Sequence, residues 1–128
     1  METPHQTRAG FTLIELLVVL SIIATLLAIA APRYFGSLEK SEDTALRQTL
    51  AVMRDALDHY YGDTGAYPDS LQALADKRYL RSVPTDPITQ RNDSWVIVPP
   101  QGAASGAVGD VRSGAEGNAR DGTPYAEW

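Results

Sequence analysis

The chain has 128 residues, of which 44% are hydrophobic and 21% are charged, and its net charge is −5. This length predicts one small domain with at most one anchor. The 11 Lys and Arg residues are scattered among 16 acidic residues and form no basic stripe, which disfavours nucleic acid as a primary partner. Because the chain has no cysteine, its soluble part must be held by packing or by a metal rather than by a disulfide.

Residues 1–10 include Pro4 and show no apolar periodicity, so we predict a removable leader there. The segment 11–31 that follows is apolar except for Glu15. At about 1.5 Å per residue it is long enough to cross a hydrocarbon core of about 30 Å, and we predict a transmembrane helix. An unpaired carboxylate near the end of such a helix costs about 2–3 kcal/mol, so Glu15 requires a cationic partner that the segment does not contain.

The start of this segment carries a family resemblance. Gly10-Phe11, Glu15, the apolar residues 16–19 and the closing Pro32 resemble the processing and assembly signature of type IV pilins and type II secretion pseudopilins. The resemblance implies that a prepilin peptidase cleaves after Gly10 and methylates the new amino terminus at Phe11. It also implies that this amino group is the missing cation and that it pairs with Glu15 of a neighbouring subunit.

A secretory signal peptide is the alternative for this end of the chain, because Ala28-Ile29-Ala30 is an Ala-x-Ala cleavage pattern after an apolar stretch. The product would be a plain secreted or membrane-anchored small domain. The stretch is longer than a usual signal-peptide core of about 7–15 residues, and Glu15 stands where such peptides prefer a positive charge. Arg8 precedes the span, and we predict a cytoplasmic amino terminus with the C-terminal domain in the periplasm.

Residues 32–62 are predicted to continue the helix as an amphipathic segment. Pro32 has no N–H and predicts a kink or a loosened turn at that point. An apolar stripe at steps of four and three residues predicts the buried face, and it comprises Leu46, Leu50, Met53, Leu57 and Tyr60 or Tyr61. The charged residues of the opposite side are interpreted as a solvated face: Glu42, Asp43, Arg47, Arg54, Asp55 and Asp58.

Residues 63–128 are predicted to form a small C-terminal α/β domain. A short helix begins after Asp69 or Ser70, either of which is a suitable N-cap residue. Residues 95–98 and 107–113 are predicted strands that pair antiparallel, and a Gly-rich loop follows them. The expected fold class is therefore α+β and pilin-like, with a long N-terminal helix packed on a small domain.

Two further landmarks resemble the major pseudopilin of type II secretion. They are Tyr67-Pro68 after the long helix and the run Pro84-Thr85-Asp86-Pro87 before the predicted sheet. In that family an aromatic residue follows the second proline, whereas this chain has Ile88.

The same resemblance implies a calcium ion in the C-terminal loop, with Glu116, Asn118 and Asp121 as ligands and main-chain carbonyls around Gly114 as helpers. Calcium takes six to eight oxygen ligands, and these side chains supply oxygen. The chain departs from the family here, because Glu116 replaces an aspartate and Arg120, which would repel a cation, precedes Asp121. A solvated loop without metal remains the alternative.

The sequence contains no motif for catalysis: it has no cysteine, only two histidines and no phosphate loop or nucleophile elbow. The resemblance implies a non-enzymatic structural subunit of a type II secretion pseudopilus, located in the inner membrane and, when assembled, in the periplasm. Its expected partners are further copies of itself, other pseudopilins, the prepilin peptidase, an inner-membrane platform protein and an assembly ATPase. A type IV pilin of a surface filament is the alternative.

Overall fold

The computed structural model describes residues 10–128 of the chain. The elements in chain order are α1 (Leu13–Thr64), α2 (Leu71–Asp76), β1 (Val96–Val98), β2 (Asp110–Arg112) and a 3₁₀ turn (Tyr125–Glu127). This is the α+β, pilin-like class that the sequence predicts. The predicted leader lies outside the described residues, except for Gly10, its last residue.

The chain divides into two compact units, the first ending at Ser37 and the second spanning Leu38–Trp128. In the first unit the large apolar side chains of α1 are exposed, and by length and composition α1 is able to cross a membrane. The Ser21 and Thr25 hydroxyls each donate a 2.8 Å hydrogen bond to a carbonyl one turn earlier in α1. These two polar groups are therefore satisfied inside the helix, as an apolar environment requires.

Helix α1 continues through Pro32, which confirms the predicted continuation. Pro32 cannot donate to the carbonyl of Ala28, so that main-chain oxygen loses its partner within the helix. The predicted boundary between residues 31 and 32 marks a change of composition and stays a prediction.

The second unit is built around the apolar stripe of α1. The stripe residues are almost completely buried, which confirms the predicted face: Leu46, Leu50, Met53 and Leu57. They pack with Leu71 and Leu74 of α2, with Val111 of β2 and with Trp95, which precedes β1. The core of this small domain is therefore completed by the preceding helix, since a domain of this size buries little apolar surface alone.

Helix α2 begins at Leu71, and the N-cap Ser70 precedes it: Ser70 Oγ accepts a 3.1 Å hydrogen bond from the Ala73 N–H. Strands β1 and β2 pair antiparallel, as predicted, with Ile97 opposite Val111. Both strands are shorter than predicted, and β2 covers only three residues of the expected segment. Gly114 lies two residues after β2, and a Cβ atom there would overlap the main-chain oxygen of Ser94.

Asp86 of the proline-rich run is fully buried. Its side chain accepts hydrogen bonds from the Ile88 and Thr89 N–H groups, at 2.8 and 3.3 Å, and from the Ser113 hydroxyl. Nearby, the Trp95 indole N–H donates to the Pro84 carbonyl at 2.8 Å. Asp86 therefore connects the turn before β1 to the residue after β2.

Candidate assembly site and the C-terminal loop

Glu15 lies in the first turn of α1 and forms a reciprocal pair with Thr12. The Glu15 N–H donates to Thr12 Oγ1 at 3.1 Å, and the Thr12 N–H donates to Glu15 Oε2 at 3.4 Å. This is a capping box, in which two side chains satisfy two N–H groups that the helix cannot satisfy internally. The Thr-x-x-Glu spacing was available in the sequence, but the sequence reasoning missed this local role of Glu15.

The same position favours a negative charge for a second reason. The amino end of a helix carries a partial positive charge, so a carboxylate in the first turn is stabilised there. Glu15 is nevertheless exposed on an apolar segment, and no side-chain cation pairs with it among residues 10–128. Within residues 10–128, the hydrogen bond to the Glu15 carboxylate comes from the Thr12 N–H.

Gly10 and Phe11 precede α1 and are exposed, and the Phe11 side chain is 88% accessible. This accessible, non-helical backbone is compatible with the predicted cleavage between them. Pro32 lies inside α1 at the far end of the apolar segment. The roles of Gly10, Phe11, Glu15 and Pro32 in processing, methylation, assembly and kinking stay predictions.

The predicted calcium ligands lie in the C-terminal loop, which we define as residues 113–128. Glu116 and Asn118 are exposed, and the Asn118 backbone bridges to Pro124. Asp121 accepts a 2.8 Å hydrogen bond from Arg47 on Oδ2 and bonds from the Thr123 hydroxyl and N–H on Oδ1. Within residues 10–128, no three His, Cys, Asp or Glu side chains are grouped to hold a metal.

With the loop in this conformation, these oxygen ligands do not fit calcium, because the Arg47 guanidinium already neutralises Asp121, the best ligand among them. The Thr123 hydroxyl and N–H, and then the charge of Arg47, hold the pKa of the Asp121 carboxyl below its ordinary value. Calcium binding remains a prediction from the family resemblance, and it would require Arg47 to release Asp121.

Three charged residues of α1 contact the C-terminal loop, and we call Asp43, Arg47 and Arg54 the polar stripe. At about 100° per residue they lie within about 40° of one another around the helix. Asp43 accepts from the Tyr125 hydroxyl at 2.6 Å, and Arg54 donates to the main-chain oxygen of Trp128 at 2.7 Å. The interpretation as a solvated face missed these loop contacts, although Arg47 remains exposed, with 58% of its side chain accessible to solvent.

Arg54 also connects the loop to the sheet. Its Nε donates to Asp110 Oδ1 at 3.0 Å, and its Nη2 donates to the Val111 carbonyl at 3.1 Å. Tyr125 and Trp128 pack against the core, which confirms that the end of the loop folds back on the domain. The polar stripe thus lies beside the apolar stripe and holds the loop along α1.

Comparison with known proteins identifies the family. Residues 6–31 match the Prokaryotic N-terminal methylation motif. The type II secretion system core protein G of Klebsiella pneumoniae is 32% identical over 98 residues, which are 64% of this chain and 70% of that protein. The chain belongs to the type IV pilin and pseudopilin family. This finding confirms the resemblance seen in Gly10, Phe11 and Glu15.

Other members of the family are similar over comparable lengths. The fimbrial protein EcpC of Eikenella corrodens is 29% identical over 123 residues, which are 92% of this chain and 80% of that protein. The competence protein ComGC of Halalkalibacterium halodurans is 32% identical over 80 residues, which are 62% of this chain and 78% of that protein. No solved structure matches significantly. The apolar N-terminal helix fits the membrane anchoring of pilin-like subunits.

Proposed function

We propose that this protein is a structural subunit of a type II secretion pseudopilus, which polymerises through its N-terminal helix to drive protein export across the outer membrane. The proposal rests on the methylation motif over residues 6–31. This stretch includes the start of α1, and Glu15 lies in the first turn of that helix. Similarity to several proteins named core protein G supports type II secretion in particular.

Assembly uses the exposed apolar surface of α1 together with one ion pair. In the membrane or the filament core, the Glu15 carboxylate pairs with the amino group of Phe11 of the adjacent subunit. Attraction between unit charges is stronger in such a low-dielectric environment than in water, but it must offset the desolvation of both groups. The pair therefore contributes register between subunits more than affinity, while apolar contacts supply the affinity.

The chain depends on other proteins for this function. A prepilin peptidase removes the leader and methylates Phe11, and an assembly ATPase acts through an inner-membrane platform protein to move subunits into the filament. Before assembly the subunit spans the inner membrane once, with its C-terminal domain in the periplasm. It polymerises with copies of itself and with other pseudopilins, and it catalyses no reaction.

A type IV pilin of a surface filament is the second candidate. It is favoured by the similarity to the fimbrial protein EcpC, which extends over 92% of this chain. The two candidates share processing and assembly, and they differ in where the filament lies. The pseudopilus is supported if the wild-type strain exports a secretion substrate and forms no surface filaments. The pilin is supported if the wild-type strain forms surface filaments and a deletion strain has no export defect.

The decisive experiment replaces Glu15 by leucine in the native strain and measures three properties together: membrane fractionation, cross-linked ladders of the subunit, and export. We expect normal or improved membrane insertion, since a costly polar group leaves the span, with loss of ladders and of export. Normal ladders and normal export in this strain would reject assembly through Glu15.

A further inference from the structure

We propose that Arg47 takes the place of a bound metal ion in this chain, so that the C-terminal loop closes on α1 without calcium. The loop is expected to need a cation because the family resemblance places calcium there. In this chain a guanidinium from the polar stripe contacts the same loop. With Arg47 in place of the metal ion, the loop uses a positive charge that the chain itself supplies and does not depend on an external ion.

Both carboxylate oxygens of Asp121 make contacts within the protein. Its Oδ2 accepts from Arg47 Nη2 at 2.8 Å. Its Oδ1 accepts from the Thr123 N–H at 3.0 Å and from the Thr123 hydroxyl at 2.6 Å. Both oxygens are thus used, and a metal ion would have to displace the Arg47 guanidinium to reach Oδ2. The pair lies at the surface, with 58% of the Arg47 side chain and 51% of the Asp121 side chain accessible.

Arg47 is itself held in place from the other side. Its guanidinium carbon lies 4.0 Å from the centroid of the Trp128 ring, a geometry in which the ring face attracts a cation. The Trp128 indole N–H donates to Thr123 Oγ1 at 2.7 Å. Arg47, Asp121, Thr123 and Trp128 therefore form a closed ring of contacts, with α1 on one side and the loop on the other.

The geometry of this ring suits a guanidinium better than a metal. Calcium requires six to eight oxygen ligands, and within the described part of the chain no three acidic or histidine side chains converge on a common point. A planar guanidinium needs only an acceptor at its edge and an aromatic ring at its face, and Asp121 and Trp128 supply both.

The neighbours of Arg47 on the polar stripe hold the loop at two more points. Asp43 accepts from the Arg120 N–H at 2.9 Å, one residue before Asp121. Arg54 donates to the main-chain oxygen of Trp128 at 2.7 Å. The loop is therefore attached to α1 on both sides of the ring, which keeps Asp121 and Trp128 within reach of Arg47.

The experiment uses the full-length protein in detergent micelles and follows thermal unfolding in excess calcium and in excess chelator. We expect the wild-type melting temperature to be the same in both. We expect Arg47→Ala to lower it by about 4 °C or more in both conditions, a shift typical of losing a modest stabilising contact in a domain of this size. Arg81→Ala is the matched control, because within residues 10–128 the exposed Arg81 side chain makes no hydrogen bond or ion pair.

Two results would overturn the proposal. A wild-type melting temperature that falls in chelator would show that the loop holds calcium. An Arg47→Ala variant that melts like the Arg81→Ala control would show that Arg47 does not hold the loop. The first result needs no variant, so the test does not depend on how Arg47→Ala folds. Because the measurement is made on the isolated subunit, it succeeds or fails independently of the proposed role in secretion.

Discussion

The Tyr125 hydroxyl donates a 2.6 Å hydrogen bond to Oδ1 of Asp43, a residue 82 positions earlier on α1. The other oxygen of this carboxylate accepts from the Arg120 N–H at 2.9 Å. One side chain of α1 therefore holds the C-terminal loop at two points. Burial, followed by the hydrogen bond and the nearby charge of Asp43, raises the pKa of Tyr125 to about 12.

This raised pKa predicts a loss of stability at high pH. Tyr125 has its ordinary pKa of 10.0 in the unfolded chain and about 12 in the fold. Its contribution to the free energy of unfolding is therefore complete below pH 10 and is lost as the pH rises through the folded value. We expect the stability of the wild-type protein to fall more steeply over this range than that of Tyr125→Phe, measured by denaturant unfolding in detergent.

Tyrosinate absorbance provides a direct check of the same prediction. Subtracting the pH titration of Tyr125→Phe from that of the wild type isolates the signal of one of the six tyrosines. The difference should titrate with a midpoint near the folded pKa of about 12. A midpoint at the ordinary tyrosine value would show that Asp43 and the surrounding chain do not protect the hydroxyl.

Helix capping and the proposed ion pair are two separable roles of Glu15, and two variants distinguish them. Glutamine is able to accept the capping hydrogen bond from Thr12, but it carries no charge. We expect Glu15→Gln to insert normally and to lose cross-linked ladders and export as Glu15→Leu does. Thr12→Ala, which removes the side-chain cap and keeps the charge, should weaken the helix start by about 1 kcal/mol and leave assembly intact.

The opposite pattern would assign a different role to Glu15. Full assembly of Glu15→Gln together with failure of Thr12→Ala would mean that helix capping, and not the charge, is what assembly requires. Membrane fractionation of each variant serves as the control for insertion.

Asp86 is predicted to be the most sensitive polar position of the small domain. Asp86→Ala leaves the Ser113 hydroxyl and the Ile88 N–H without their buried acceptor, which we expect to lower the free energy of unfolding by about 3 kcal/mol. Asp93→Ala is the matched control, since Asp93 is exposed and pairs only with the neighbouring Arg91 among the described residues. Urea unfolding of the full chain measures both, and equal midpoints would contradict the assigned role.

Processing predicts a specific mass for the mature protein. Cleavage after Gly10 followed by methylation of Phe11 should give, for protein extracted from membranes, an intact mass equal to residues 11–128 plus one methyl group. Replacing Gly10 by a larger residue should leave the leader in place if, as the family resemblance implies, the peptidase recognises the Gly-Phe junction. A mature amino terminus at Ala31 would instead identify a signal peptide and a secreted domain.

The sequence by itself determined the features that depend on neighbouring residues. Periodicity and spacings of three or four residues locate the apolar segment and the stripe from Leu46 to Leu57. They also locate the start of α2, although they leave Asp69 and Ser70 both open as its N-cap. The Thr12–Glu15 capping box belongs to the same class, although the sequence reasoning did not use it. Such interactions are local, so a pattern in the chain is sufficient to locate them.

Only the tertiary structure decided which polar residues of α1 contact the loop. Arg47 and Asp55 both look like parts of a charged helix face, yet Arg47 contacts Asp121, a residue 74 positions away. A helical period gives the direction of a side chain around its own axis, but it carries no information on which loop returns to that side. The partners of Asp43, Arg47 and Arg54 depend on how the chain closes between residues 64 and 128, and that closure is set by packing of the whole domain.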